Sequence, residues 1–149
     1  MLFRSKPEAT AEALSGGWYH TGDAGYIDDD GYLFLVDRVK DMIVTGGENV
    51  YSAEVESAIS THPAVVQVAV IGIPHDVWGE TVHAIVVTAD GAEVTAEAII
   101  AHARSSIAGY KVPKSVDFRD DPMPLSGAMK ILKRDLRAPY WEGRGKSIG

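Results

Sequence analysis

The spacing of apolar residues changes period along the chain, and each change marks an element. Val65–Ile73 and Val82–Thr88 are almost continuous apolar runs and predict two buried strands, with Pro74–Glu80 as the loop between them. A shorter run, Met42-Ile43-Val44, suffices for one brief strand, which Gly46-Gly47 breaks. Ser52–Ile59 has helical spacing: Val55, Ala58 and Ile59 form one stripe, Glu54 and Glu56 lie near the positive end, and Ser52 stands where a cap is expected. A second helix is predicted over Ala96–Ile107 from Ile99, Ile100, Ala103 and Ile107, with Thr95 as cap and Gly109 as stop. Ala89-Asp90-Gly91 turns the chain before that helix, and Lys114–Phe118 reads as a short strand after it. Arg119–Lys130 carries Pro122, Pro124 and Gly127 and predicts a loop without regular structure. Lys133–Tyr140 has room for a helical turn or two before Pro139 disrupts it, and the tail from Gly143 is expected to be disordered.

The N-terminal part has a different character. Pro7–Leu14 suits a short helix with Pro near its start, stopped by Gly16-Gly17. Tyr26-Ile27 and Tyr32–Val36 flank Asp28-Asp29-Asp30-Gly31 and predict a hairpin, with Asp23 as a turn-forming residue in the loop that enters it. From Met42 onward the order is strand, helix, strand, strand, helix, strand, helix. That order predicts an α+β fold: a small two-layer domain with a short mixed sheet covered by helices. Residues 1–38 are expected to be the tail of a different domain with its hairpin, 39–141 the small domain, and 142–149 a flexible tail.

Composition narrows the function. The 149 residues are 46% hydrophobic and 23% charged, ordinary for a globular protein. A net charge of -7 disfavours non-specific nucleic-acid or anionic-membrane binding. Without cysteine there is neither a disulfide nor thiolate chemistry. His20, His62, His75, His83 and His102 show no ligand spacing, so no metal site is assigned. No apolar run approaches the ~20 residues that span a bilayer, and no signal-peptide core is visible, so the expected location is the cytoplasm.

Candidate chemistry concentrates in Val36–Tyr51, VDRVKDMIVTGGENVY. Taken alone, its charged knot Asp37–Asp41 reads as a solvated turn and its glycine pair as an ordinary loop. Trp78, in PHDVWGE, reads equally well as a packing indole. The surrounding text adds a pattern: GWYHTGD at 17–23, DRVKDMI at 37–43, GGENVYSAEVE at 46–56 and PLSGAMKILKRDLR at 124–137. Together these resemble the late motifs of AMP-forming acyl-CoA synthetases. That group belongs to the adenylate-forming superfamily, with luciferases and peptide-synthetase adenylation domains. The resemblance runs from about Lys6 to Trp141.

The resemblance implies a two-step reaction, in which a carboxylate and ATP form an acyl-adenylate and the CoA thiol then displaces AMP. It implies that Asp23 and Arg38 bind the nucleotide, and that Lys40 is the hinge about which the small domain turns. Lys130 matches the lysine that neutralises charge in the first step. Gly46, Gly47 and Glu48, with Trp78, match the positions along which CoA passes. Lys133 is read as an exposed lysine at a helix start. One position departs from the family: Met129 precedes the lysine where glycine is usual. The phosphate loop ending in Lys-Gly and the acyl pocket are absent from this text. The chain is therefore expected to be the C-terminal fragment of a ligase for a carboxylic, foremost a fatty, acid. It would be inactive without its N-terminal domain. ATP, Mg2+ and CoA are the implied cofactors of the full enzyme, none being expected on the fragment. The alternative is a stand-alone nucleotide- or CoA-binding domain without turnover.

Overall fold

The computed structural model describes residues 4–144. It falls into two compact units, Met1–Lys40 and Asp41–Gly149. The predicted flexible tail lies outside the described residues from position 145 on.

The first unit holds a short helix, α1 (Pro7–Ala13), and a two-stranded antiparallel sheet, β1 (Asp23–Ile27) with β2 (Leu33–Arg38). The Asp-rich turn closes the hairpin as its residue types require. The Asp28 carboxylate accepts from the Asp30 and Tyr32 amides at 3.1 and 2.8 Å, and Gly31 takes φ 86. Asp23 is not in the entering loop but is the first residue of β1, paired with Arg38. Its placement comes from cross-strand pairing, which local turn preference does not report. Tyr26, Ile27, Tyr32, Leu33, Phe34 and Leu35 are exposed within this unit, more apolar surface than a two-stranded hairpin ordinarily carries in water.

The second unit begins with β3 (Ile43–Thr45) and β4 (Glu48–Val50), joined by Gly46-Gly47. Both glycines have φ > 0, at 59 and 88, the requirement of a two-residue hairpin turn. The pair therefore connects two strands and does not end the sheet. Helix α2 (Ser52–Ser60) follows, then the long hairpin β5 (Val65–His75) and β6 (Gly79–Thr88). These strands extend into the predicted Pro74–Glu80 loop and leave Asp76-Val77-Trp78 as its remnant. Helix α3 (Ala96–Arg104), strand β7 (Ser115–Phe118) and helix α4 (Lys133–Trp141) complete the unit. The sheet is mixed: β7 runs parallel to β6, and the other pairings are antiparallel.

Alternation along β5 and β6 explains why they read as continuous apolar runs. Val70, Val82, Ala84 and Val86 point to one core with Val55, Ile59, Ile99 and Ala103 of α2 and α3. Ala69, Ile71 and Ile85 point to a second core with Met123 and Leu136, under α4. Both faces are covered, so neither strand needs a polar side.

Three local predictions are overruled. Ser52 is the first helical residue, one position inside the expected cap; Tyr51 occupies the cap position and its side chain makes no capping bond. The helix start is instead tied down by a distant lysine. Helix α3 stops at Arg104, before Ile107 and Gly109, where the Ser105 and Ser106 hydroxyls bond back to the carbonyls of His102 and Ala103. Pro139 does not end α4, which runs on to Trp141. Arg137 and Trp141, on either side of it, are each bonded to the sheet, and these anchors outweigh the one helical bond that proline removes.

Candidate functional site

The predicted residues fall into three places. Asp23 and Arg38 face each other across β1 and β2, with Arg38 Nε 3.3 Å from an Asp23 carboxylate oxygen. Both side chains are partly exposed, so an acceptor-only carboxylate and a guanidinium are presented side by side across the paired strands. Lys40 is exposed and sits in a 3-10 turn, Val39–Asp41, as the last residue of the first unit.

The second place is a cleft of about 270 Å3 in the second unit, lined by Thr45, Gly46, Glu48, Trp78, Tyr110 and Lys114. The Gly46-Gly47 turn brings its backbone here because the Gly46 amide donates to the Trp78 carbonyl at 3.0 Å. A Cβ on Gly46 would come within 3.8 Å of the indole. Trp78 is held by His75. Their rings stack at 4.5 Å, and His75 Nδ1 accepts from the Val77 and Trp78 amides, both at 3.2 Å. The wall is thus a preset aromatic plane. Gly47 belongs to the turn but does not line the cleft.

Tyr110 and Lys114 were not among the sequence candidates. They follow α3 in a turn-rich segment, and Val112 and Pro113 between them are fully buried, which pins the segment. Lys111 is further held by Glu54 of α2 at 2.7 Å, an interaction that raises its pKa. The short text YKVPK offered only a lysine and aromatic mixture as a signal. Chemically, the cleft offers an indole and a phenol for apolar or stacking contact, bare glycine backbone, the Glu48 carboxylate, and the Lys114 ammonium, which suits an anion.

The third place is the loop bearing Lys130. It holds no helix or strand, as predicted, but is tied into a small hairpin: Ser126 N–H donates to the Lys130 carbonyl at 2.8 Å, Leu132 N–H to the Pro124 carbonyl at 2.8 Å, and Leu125 forms an isolated bridge with Ile131. Lys130 is exposed on this small hairpin, and its amide donates to Ser126 Oγ at 3.2 Å. Met129 has φ 58, the left-handed backbone that glycine adopts freely. The departure in sequence therefore keeps the conformation a glycine would supply. Lys133 is not exposed. Its side chain retains 13% of its exposure, and its ammonium lies 2.7 Å from Glu56 Oε1 and donates to Ser52 Oγ at 2.7 Å.

Among the described residues no group of three or more His, Asp or Glu could hold a metal ion, and no helix is long and apolar enough to cross a membrane. A small mixed sheet under helices, with a glycine-turn cleft and a lysine on a separate loop, defines the class. The profile of the AMP-binding enzyme C-terminal domain matches residues 54–130, and the chain belongs to that family. It is 52% identical over 135 residues to a feruloyl-CoA synthase of Amycolatopsis sp, covering 91% of this chain and 27% of that protein. It is 51% identical over 136 residues to the long-chain-fatty-acid–CoA ligase FadD13 of Mycobacterium tuberculosis, again covering 91% of this chain and 27% of that protein. Among solved structures it resembles the o-succinylbenzoate CoA synthetase MenE of Bacillus subtilis in complex with its acyl-adenylate intermediate. That match has TM-score 0.81 and 36% identity, and covers 89% of this chain and 27% of that one. The chain thus spans about a quarter of the length of the relatives it matches.

Proposed function

We propose that this chain is the C-terminal portion of a cytoplasmic AMP-forming acyl-CoA ligase. The ligase activates a carboxylic acid with ATP and transfers the acyl group to CoA. A fatty acid is the first substrate to test and an aryl acid such as ferulate the second, following the names of two similar ligases. The observation that carries this reading is the cleft, which gathers three of the residues matched to CoA passage, Gly46, Glu48 and Trp78, in one place. Tyr110 and Lys114 extend it with a second aromatic face and a cation, a lining that fits the thin apolar arm and the phosphates of CoA.

The remaining roles divide by unit. Asp23 holds the ribose of the nucleotide, Arg38 also contacts the nucleotide, and Lys40 is the hinge between residues 1–38 and 39–141. Lys130 supplies a cation to the α-phosphate during adenylation. Mg2+, the phosphate loop and the acyl pocket belong to the N-terminal portion of the ligase. The exposed apolar hairpin residues of the first unit are in keeping with burial against that portion. The isolated chain is inactive.

The test uses the full ligase and separates its two half-reactions. Lys130→Ala slows acyl-adenylate formation, read by pyrophosphate exchange, by about 10²–10³, and leaves thioester formation from supplied acyl-adenylate within about twofold. Trp78→Ala does the reverse: it raises the KM for CoA and spares pyrophosphate exchange. If each variant affects both half-reactions equally, the division of labour is wrong.

A further inference from the structure

The Lys130 hairpin is exposed at most of its positions, yet a cation aimed at developing charge must be held to within ~0.5 Å to be effective. Its stiffness therefore depends on its two feet. Upstream, Met123 is buried in the second core and its amide donates to Gln67 Oε1 at 3.0 Å. Downstream the chain enters α4, which carries a polar line at every fourth residue. Lys133 bonds Ser52 and Glu56, Arg137 bonds Glu80 at 3.2 Å, and the Trp141 indole donates to the Gly72 carbonyl at 3.1 Å.

Lys133 is the member of that line nearest the loop, three residues from Lys130. The same Glu56 oxygen that meets its ammonium also accepts the Val70 amide at 2.7 Å. The ammonium is thereby indexed to helix α2 and to the outer edge of β5 at once. Ser52 and Glu56 lie in the helix that follows the Gly46-Gly47 turn. The lysine loop and the cleft turn are therefore referenced to one side-chain cluster.

We propose that Lys133 is a positioning residue for Lys130: the Lys133–Glu56–Ser52 cluster fixes the downstream foot of the catalytic hairpin and so sets where the Lys130 ammonium is presented. This rests on the adenylation role given to Lys130 above. The proposal makes Lys133 specific to one half-reaction, although it never touches the substrate.

The experiment is made in the full ligase with Lys133→Met, which keeps an unbranched stem and removes the charge and donors, and Lys133→Arg, which restores both. Displacing a reacting group by about 1 Å costs up to about 10²-fold in rate. Lys133→Met is expected to lower the kcat of pyrophosphate exchange by about 10- to 100-fold, with the KM for ATP and for the acid within about twofold. Thioester formation from supplied acyl-adenylate stays within about twofold, and Lys133→Arg recovers most of the loss. Equal loss of both half-reactions, or no loss in either, overturns the proposal. If Lys133→Met does not fold, Glu56→Gln, which keeps an acceptor for the Val70 amide, is read in the same way. Lys130→Ala run in parallel separates the two claims. Exchange that survives Lys130→Ala removes the catalytic assignment itself, whereas exchange lost with Lys130→Ala but intact with Lys133→Met removes only the positioning role.

Discussion

Met129 allows a test of the loop in which the sign of the result carries the information. The residue has φ 58 at the turn of the Lys130 hairpin, where its amide donates to the Ser126 carbonyl at 2.9 Å. A residue with a Cβ in this conformation costs about 1–2 kcal/mol relative to the right-handed regions. Glycine avoids that cost but loses about 0.5–1 kcal/mol through the greater freedom of its unfolded chain. Met129 is 75% exposed, so truncation to alanine removes little burial, and alanine is the proper reference. Subtracting the middle of one range from the middle of the other puts Met129→Gly above Met129→Ala by about 0.75 kcal/mol. At an ordinary helix or strand position the order is reversed by a similar amount. For a chain of this size the gap corresponds to about 1–4 °C in Tm. Thermal and urea unfolding of the two variants beside the parent chain would measure it. If Met129→Ala is as stable as Met129→Gly or more so, residue 129 is not left-handed, and the claim that methionine here preserves a glycine conformation fails.

Two further outcomes follow from the interior of the second unit. A Cβ on Gly72 would lie 2.5 Å from Glu80 Oε2 and 3.2 Å from Ile43 Cγ2. The carboxylate cannot swing away without losing the Val44 amide and Arg137. Gly72→Ala should therefore destabilise by about 1–3 kcal/mol in urea unfolding, and a change within about 0.5 kcal/mol would mean that Glu80 is free to move. The second outcome concerns pH. His83 is buried and bonded to Ser115 Oγ at 2.7 Å and to Tyr140 Oη at 3.1 Å, and burial lowers its pKa below the usual 6.5 against the opposing pull of Asp117. As pH falls through 6.5 the unfolded chain takes up a proton that the folded one refuses, so stability is lost on acidification. Burial has the opposite consequence for Glu80. Its raised pKa lets the folded state bind a proton first, and stability is gained as pH falls toward 4.5. The His83 contribution is isolated by difference: the stability advantage of the parent chain over His83→Gln should shrink between pH 7 and 5, and a constant or growing advantage would contradict the assignment.

Much of this protein is written in short-range pattern. The apolar runs of β5 and β6 and the stripes of α2 and α3 are visible in sequence because a strand or helix declares its buried faces within a few residues. The four motifs that resemble acyl-CoA synthetases are likewise local strings, and the family match agrees with the reading they support. The structure adds what depends on pairs far apart in the chain. Lys133 reads as an exposed lysine until its partner Ser52, 81 positions away, is placed beside it. Tyr110 and Lys114 join Gly46 and Trp78 only because buried Val112 and Pro113 bring their segment against the sheet. Ser52 has the right chemistry for a cap and Pro139 the right chemistry for a stop, yet Ser52 lies one residue inside its helix and Pro139 does not end its own. The bonds that decide those positions come from across the fold, and single helix-end preferences of about 1 kcal/mol are small beside several such contacts acting together. Local preference selects the elements of this chain. Which side chains meet to form its cleft and anchor its lysine loop is decided by packing, since periodicity carries no information about partners beyond a few residues.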